Sequence, residues 1–210
     1  MVLFRPAGRA MSGEHYFSPR PAARGGPREL TLVLRGREVT VTTEPGVFSR
    51  RRLDPGTRLL IERMEVRPAD RFLDLGCGYG VVGLVAAHLA PQGSVTLLDV
   101  NERAVALARE NLARNGAANA EALVSDGLGA VEGRRFDVIA LNPPVRAGLP
   151  TVRRLIAGAR EHLAPGGRFY LVGRTKQGVL RLAEELRRIF ARVEEVAKRG
   201  GYRLYLAEEA

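Results

Sequence analysis

From residue 71 onward the chain alternates short apolar runs with amphipathic stretches, a rhythm that few folds accept. Runs of about five aliphatic residues bounded by turn signals are strand-length, and each following stretch carries its apolar residues on one helical face. Strand then helix, repeated, is the pattern of a parallel sheet with crossover helices, an α/β class. Strands are expected at residues 71 to 75, 94 to 99, 121 to 125, 136 to 141 and 167 to 173, with helices at 80 to 89, 102 to 115, 151 to 162 and 177 to 190. Two β-rich runs, 193 to 198 and 202 to 207, flank Gly200 and Gly201 and predict a terminal antiparallel hairpin.

Ahead of this unit, residues 30 to 34 and 39 to 43 are β-branched runs around Arg-Gly-Arg-Glu, the mark of another hairpin. Residues 54 to 65 read as a helix capped by Asp54, with Pro55 at its first position and Leu59, Leu60 and Met64 as its apolar stripe. Residues 1 to 28 hold five arginines and four prolines and read as a flexible basic arm, within which Met11 is a second candidate start. The expected organisation is therefore an arm at 1 to 28, a hairpin and helix at 29 to 70 packed on the rest, and a ligand-binding domain at 71 to 210.

A chain of 210 residues buries enough surface to fold without a covalent or metal staple. Its single cysteine, Cys77, excludes an intramolecular disulfide framework, and three scattered histidines leave no metal set. No apolar run approaches the roughly 20 residues that span a bilayer, so a soluble, cytoplasmic protein without a membrane partner is expected. The net charge is +10, and 31 of the 33 basic residues are arginine. The excess sits on the flanks: residues 1 to 70 carry +5, 71 to 149 carry −1, and 150 to 210 carry +6. Such a field favours a polyanion, and the guanidinium fork suits phosphate.

Residues 73 to 80, Leu-Asp-Leu-Gly-Cys-Gly-Tyr-Gly, run from a strand end through a glycine loop into a helix. Gly76, Gly78 and Gly80, with Cys77 between them, allow a ligand close to the backbone, and the next helix offers unpaired N–H groups. Asp74 is badly placed for a pyrophosphate but suits a ligand with an ammonium group, such as S-adenosyl-L-methionine. Asp99 ends the next strand 25 residues later, close to the spacing at which a carboxylate grips a ribose diol, with Val100 and Asn101 beside it. Ser125 and Asp126 follow the third strand, where Asp126 is suited to accept from an adenine amino group. The fourth strand ends in Asn142-Pro143-Pro144-Val145-Arg146. Two prolines fix an extended loop, so that the Asn142 side-chain and Pro143 backbone carbonyls can converge on an exocyclic NH2 and stabilise the charge it gains when it attacks a methyl group.

These motifs, together with His-Tyr-Phe-Ser at 15 to 18, Gly-Val-Phe-Ser at 46 to 49, Leu-Asp-Pro-Gly-Thr at 53 to 57 and Asp-Val-Asn-Glu-Arg-Ala at 99 to 104, resemble a known family over residues 14 to 208. It is that of class I S-adenosylmethionine-dependent methyltransferases with an Asn-Pro-Pro motif and, more narrowly, the catalytic domain of the ribosomal RNA small subunit methyltransferase C type with its single-domain relatives. The resemblance implies a Rossmann-like seven-stranded sheet with helices on both faces, the methyltransferase domain being 71 to 210. It also implies S-adenosyl-L-methionine as cofactor, guanine N2 of 16S ribosomal RNA as acceptor, and Asn142 in the catalytic role, held by Pro143 and Pro144. Phe48 and Thr57 would close over the methionine end of the cofactor, with His15 and Tyr16 nearby.

Two departures matter. Val145 stands where many amino methyltransferases have an aromatic that stacks on the base, leaving that task to Arg146, Tyr16 or Phe17. The two-domain members also carry a degenerate copy ahead of the catalytic one, where this chain has about 70 residues, so substrate positioning falls to the cationic flanks. Arg50, Arg51, Arg52 and Arg146 are the expected RNA contacts, ribosomal RNA or the small ribosomal subunit the expected partner, and a monomer or weak homodimer the expected state. A protein glutamine or adenine N6 is the alternative acceptor, and a non-catalytic RNA-binding or ribosome-assembly module the alternative of another class; a nicotinamide oxidoreductase is a remote fourth reading.

Overall fold

Residues 26–47, 52–143 and 148–209 are described by the computed structural model. Most of the expected arm, with His15, Tyr16 and Phe17, and also Phe48, Arg50, Arg51, Pro144, Val145 and Arg146, lie outside these residues.

The alternating pattern becomes a sheet of five parallel strands, β3 (Arg71–Leu75), β4 (Ser94–Asp99), β5 (Ala120–Val124), β6 (Phe136–Leu141) and β7 (Leu163–Arg174). The terminal hairpin, β8 (Arg192–Arg199) and β9 (Tyr202–Glu208), extends it through antiparallel pairing of β9 with β7, giving the order β5-β4-β3-β6-β7-β9-β8. Helices α1 (Pro55–Arg63), α2 (Val81–Leu89) and α3 (Glu102–Arg114) cover one face, where Phe72, Leu97, Val138 and Tyr170 are buried. Helices α4 (Gly148–His162) and α5 (Val179–Ile189) cover the other, where Leu73, Ile139, Phe169 and Leu171 are buried. Neighbouring strand residues thus go to opposite layers, as the period of two requires. The seven-stranded sheet expected from the sequence is present.

Boundaries differ where a turn sits inside an element. The expected strand at 167 starts at Leu163, because Phe136 pairs with Leu163 and Val138 then pairs with Arg168, so that Ala-Pro-Gly-Gly bulges out of a continuing ladder. Helix α4 begins at Gly148, three residues earlier than expected. Helix α5 starts at Val179 because Thr175–Gln177 forms a short 3-10 turn before it.

The first hairpin, β1 (Arg28–Leu34) with β2 (Arg37–Thr43), is a separate two-stranded sheet whose Leu34, Val39 and Val41 enter the core below α1 to α3. Its outer edge is closed by side chains. Asn111 accepts from the Thr42 N–H at 2.7 Å and donates to the Thr42 carbonyl at 2.9 Å, while Asn115, one turn later on α3, does the same for Thr40 at 3.1 and 2.8 Å. Two amides at i and i+4 thereby stand in for a third strand and satisfy an edge that would otherwise be open. Asn111 also donates to the Tyr79 carbonyl at 2.8 Å, so the same buried amide ties the hairpin to the glycine loop. Asn111→Ala leaves the buried Tyr79 carbonyl and the part-buried Thr42 N–H and carbonyl without this partner and is expected to lower unfolding free energy by about 2–3 kcal/mol in urea denaturation; an unchanged midpoint would show that the hairpin is held by its apolar face alone.

Candidate functional site

The strand order reverses between β3 and β6. From β3 the chain crosses to β4 and then β5, whereas β6 and β7 lie on the other side, which leaves a crevice at the carboxyl ends of the strands where open sheets of this kind take ligands. Leu75 pairs with Leu98 on one side and with Leu141 on the other. The next residues, Gly76, Asp99 and Asn142, therefore stand at one level, Asp99 as the last residue of β4.

Gly76, Gly78 and Gly80 have φ of 78, 55 and 85°, left-handed values that explain the glycines. Their amides are spent within the protein: the Gly76 and Cys77 N–H groups donate to the Leu98 carbonyl at 2.8 and 2.9 Å, Gly78 to Asp99 Oδ2 at 2.8 Å, and Gly80 to the Cys77 carbonyl at 3.0 Å. A phosphate cradle needs free donors. This loop instead faces carboxylates, an arrangement for a cation and for hydroxyl donors.

Asp74 is 4 % exposed, and its Oδ2 accepts from the Gly83 N–H at 2.9 Å. One of the amides that the sequence left open at the start of α2 is thus capped by Asp74 itself. Burial pushes the Asp74 carboxyl up to about 7; the Gly83 bond opposes this and the nearby Asp99 charge adds to it. Asp99 is also raised by burial, against the bonds from the Asn101, Gly78 and Val100 amides. Two neighbouring carboxyls held above their usual range are groups that a bound cation would relieve.

At the end of β6, the Asn142 Nδ2 donates to Thr57 Oγ1 at 3.0 Å and to Asp54 Oδ2 at 3.3 Å. Asp54 caps α1 as expected, with Oδ2 accepting from the Thr57 N–H at 2.8 Å, and its Oδ1 accepts from the Tyr202 hydroxyl at 2.9 Å. With its nitrogen so held, the amide keeps its oxygen for a ligand. Beside it lies a cavity of about 300 Å³, walled by Pro143, Leu149, Val152 and Leu182, with Arg174, Gln177, Arg181 and Tyr202 among its polar lining. That size suits a nucleobase with room to spare. Sequence reasoning took Asp54 only as a helix cap and Tyr202 only as a strand residue, and it did not single out Arg174, Gln177 or Arg181; no local motif marks them.

The remaining expected residues have mixed positions. Asn101 caps α3 and donates to the Gly46 carbonyl at 3.1 Å, holding the 44–47 segment against the site. Val100 is half-buried at the same edge. Ser125 is buried and its hydroxyl accepts from the Ala130 N–H at 3.1 Å. Asp126 is exposed, and Arg154 engages both its oxygens at 2.6 and 3.2 Å, which holds its carboxyl below the usual range. The Cys77 thiol is buried and pushed up by desolvation, so it is no nucleophile. Arg52 is exposed and lies two residues before Asp54. Among the described residues no His, Cys, Asp or Glu cluster could hold a metal, and no helix is long and apolar enough to cross a membrane.

The site fits the chemistry of S-adenosylmethionine. A side chain at Gly76 would meet nothing within 4 Å, so there is open space above the loop. The hydroxyl of Tyr79, between Gly78 and Gly80 in sequence, is buried without a hydrogen-bond partner among the described residues. Asp74 and Asp99 supply acceptors for an ammonium and a diol.

Known proteins agree with this geometry. The chain is 36% identical over 198 residues to the uncharacterized protein YbxB of Bacillus subtilis, covering 93% of this chain and 98% of that one. It is 37% identical over 184 residues to ribosomal RNA small subunit methyltransferase C of Stutzerimonas stutzeri, covering 86% of this chain and 54% of that protein; it therefore spans about half the length of such relatives. Among solved structures, the T. thermophilus 16S rRNA N2 methyltransferase RsmC, in complex with AdoMet and guanosine, superposes with a TM-score of 0.78 at 30% identity, over 90% of this chain and 52% of that one. The methyltransferase small domain model matches residues 38–206, and this chain belongs to that family.

Proposed function

We propose that this protein methylates the N2 amino group of a guanine in 16S ribosomal RNA. The family assignment makes it an S-adenosylmethionine-dependent methyltransferase; the finer reading is supported by the relatives named for small-subunit ribosomal RNA methylation and by the guanosine bound in the T. thermophilus enzyme. The observation that carries it is the Asn142 amide, whose nitrogen is committed to Thr57 and Asp54 while the residue lines a base-sized cavity beside the carboxyl ends of the strands.

When bound, S-adenosylmethionine supplies an electrophilic methyl group on sulfur. Asp74 takes its ammonium and Asp99 its ribose hydroxyls, with Val100, Asn101 and Ser125 lining the adenosine side and Asp126 reaching the adenine once it exchanges with Arg154. Thr57, bonded to Asn142, would lie toward the methionine end, the role the family resemblance also gives to Phe48. A guanine amino group is a poor nucleophile because its lone pair is delocalised into the ring. Asn142 Oδ1 and the Pro143 carbonyl accept its hydrogens, which favours the pyramidal nitrogen and the positive charge that grows there as the N–C bond forms and the S–C bond breaks. Solvent then takes the proton. Arg174 and Arg181 at the cavity hold the RNA backbone through phosphate contacts, the role the sequence also assigns to Arg50, Arg51, Arg52 and Arg146.

Nucleoside mass analysis after reaction with unmodified 16S RNA and with reconstituted small subunits is expected to show N2-methylguanosine in one of the two; N6-methyladenosine, a methylated protein glutamine or no transfer would overturn the reading. Asn142→Ala should cut turnover by about 100-fold or more while leaving cofactor affinity near wild type, whereas Asp99→Ala should weaken cofactor binding first; equal binding losses in calorimetry would refute the division of roles. Cofactor affinity should also rise with pH through about 7, because Asp74 must ionise to pair with an ammonium and its carboxyl sits at about 7 before binding. Asp74→Asn should flatten that profile, and a wild-type profile already flat would remove Asp74 from the ammonium contact. Removing Arg174 and Arg181 together should lower RNA affinity and shrink the slope of log affinity on log salt by about 1 per lost phosphate contact; an unchanged slope would place the RNA elsewhere.

A further inference from the structure

Three stretches far apart in the chain meet at Asp54: the start of α1, the end of β6 and the terminal hairpin. We propose that the Asp54–Tyr202 pair is a positioning device that locks the orientation of the Asn142 amide for methyl transfer. This inference rests on the proposed role of Asn142 as the acceptor of the amino hydrogens.

An amide can rotate so that either its oxygen or its NH2 faces the substrate. Presenting the NH2 to a substrate amino group would set donor against donor. Asp54 Oδ2 already accepts from the Thr57 N–H and hydroxyl, and the Asn142 atom 3.3 Å from it is the amide nitrogen, which can only donate. Thr57 Oγ1, which can donate or accept, gives its hydrogen to Asp54 Oδ2 at 3.3 Å and therefore accepts from the same Asn142 nitrogen at 3.0 Å. The Tyr202 hydroxyl, donating to the other carboxylate oxygen at 2.9 Å, holds the plane of the Asp54 group from the opposite side. Asp54 is 9 % exposed, so these bonds act with little competition from water.

The geometry accounts for each member of Asp-Pro-Gly-Thr at 54 to 57. Asp54 is the acceptor, Pro55 starts the helix that the Asp54 side chain caps, and Thr57 passes the polarity on to Asn142. Gly56 makes room: a Cβ there would lie 2.6 and 2.7 Å from the Tyr202 ring and 2.9 Å from Asp54 Oδ2. The terminal hairpin thereby reaches the reacting group through a tyrosine 148 residues from its partner.

The test uses the full chain with Tyr202→Phe, Asp54→Asn, Gly56→Ala and Asn142→Ala. Asparagine caps helices as well as aspartate does, so Asp54→Asn keeps α1 while offering an NH2 that lets the Asn142 amide turn over. Expected are falls in kcat of about tenfold for Tyr202→Phe and more for Asp54→Asn, with the RNA KM and cofactor affinity near wild type, and Gly56→Ala behaving as Tyr202→Phe. The side-chain 15N–1H2 signals of Asn142, identified by their loss in Asn142→Ala, should shift in all three other variants. Wild-type kcat and unmoved signals in Tyr202→Phe and Asp54→Asn, with Asn142→Ala inactive, would overturn the positioning role. Full activity of Asn142→Ala would instead overturn the reading beneath it, and the amide signals would still decide whether the pair orients Asn142. If Asp54→Asn does not fold, Tyr202→Phe, which removes one oxygen, carries the test alone.

Discussion

The parallel pairing of β3 with β6 is the constraint from which the site follows. It joins two strands separated by two crossover units and places Gly76 and Asn142 side by side at the point where the strand order reverses. The glycine loop and the Asn-Pro loop are thus brought together by the sheet, whose register is set by buried Leu73, Leu75, Ile139 and Leu141, and a ligand in the crevice would touch both. A one-residue slip would turn those side chains to the wrong layer.

Around that crevice the protein accepts an electrostatic cost. Asp74 is buried and raised by desolvation and by the nearby Asp99 charge, Asp99 is raised by desolvation, and backbone amides from Gly83, Gly78, Asn101 and Val100 offset part of that cost. The loop amides that could have made an anion site are turned inward to Leu98, Cys77 and Asp99. Both features select the same kind of ligand, one bearing a positive charge and hydroxyl donors. At the other loop the Asn142 amide nitrogen donates to Asp54, and both residues line the cavity.

The sheet, its helices and both hairpins were legible in the sequence because hydrophobic period and turn residues are local signals. The glycine loop and Asn-Pro-Pro were legible because their residue types are chemically special. What escaped are contacts between distant residues that look ordinary alone. Asn111 and Asn115 read as polar positions on a helix, although they close the edge of β2. Tyr202 reads as a strand residue and Asp54 as a cap, although together they hold Asn142. Asp126 reads as a ligand carboxylate on its position after a strand, yet Arg154 on α4 occupies it in the free protein. The bulge in β7 escaped because Pro165 and two glycines signal a turn, and nothing local shows that the ladder resumes after it.

A crystal structure with S-adenosylhomocysteine and guanosine bound measures the central arrangement directly. The account predicts the guanine N2 within hydrogen-bond distance of Asn142 Oδ1, about 2.7–3.2 Å, with the sulfur on the Gly76 side and the base in the cavity walled by Pro143 and Leu182. A base seated elsewhere, or an Asn142 oxygen turned toward Asp54, would contradict it.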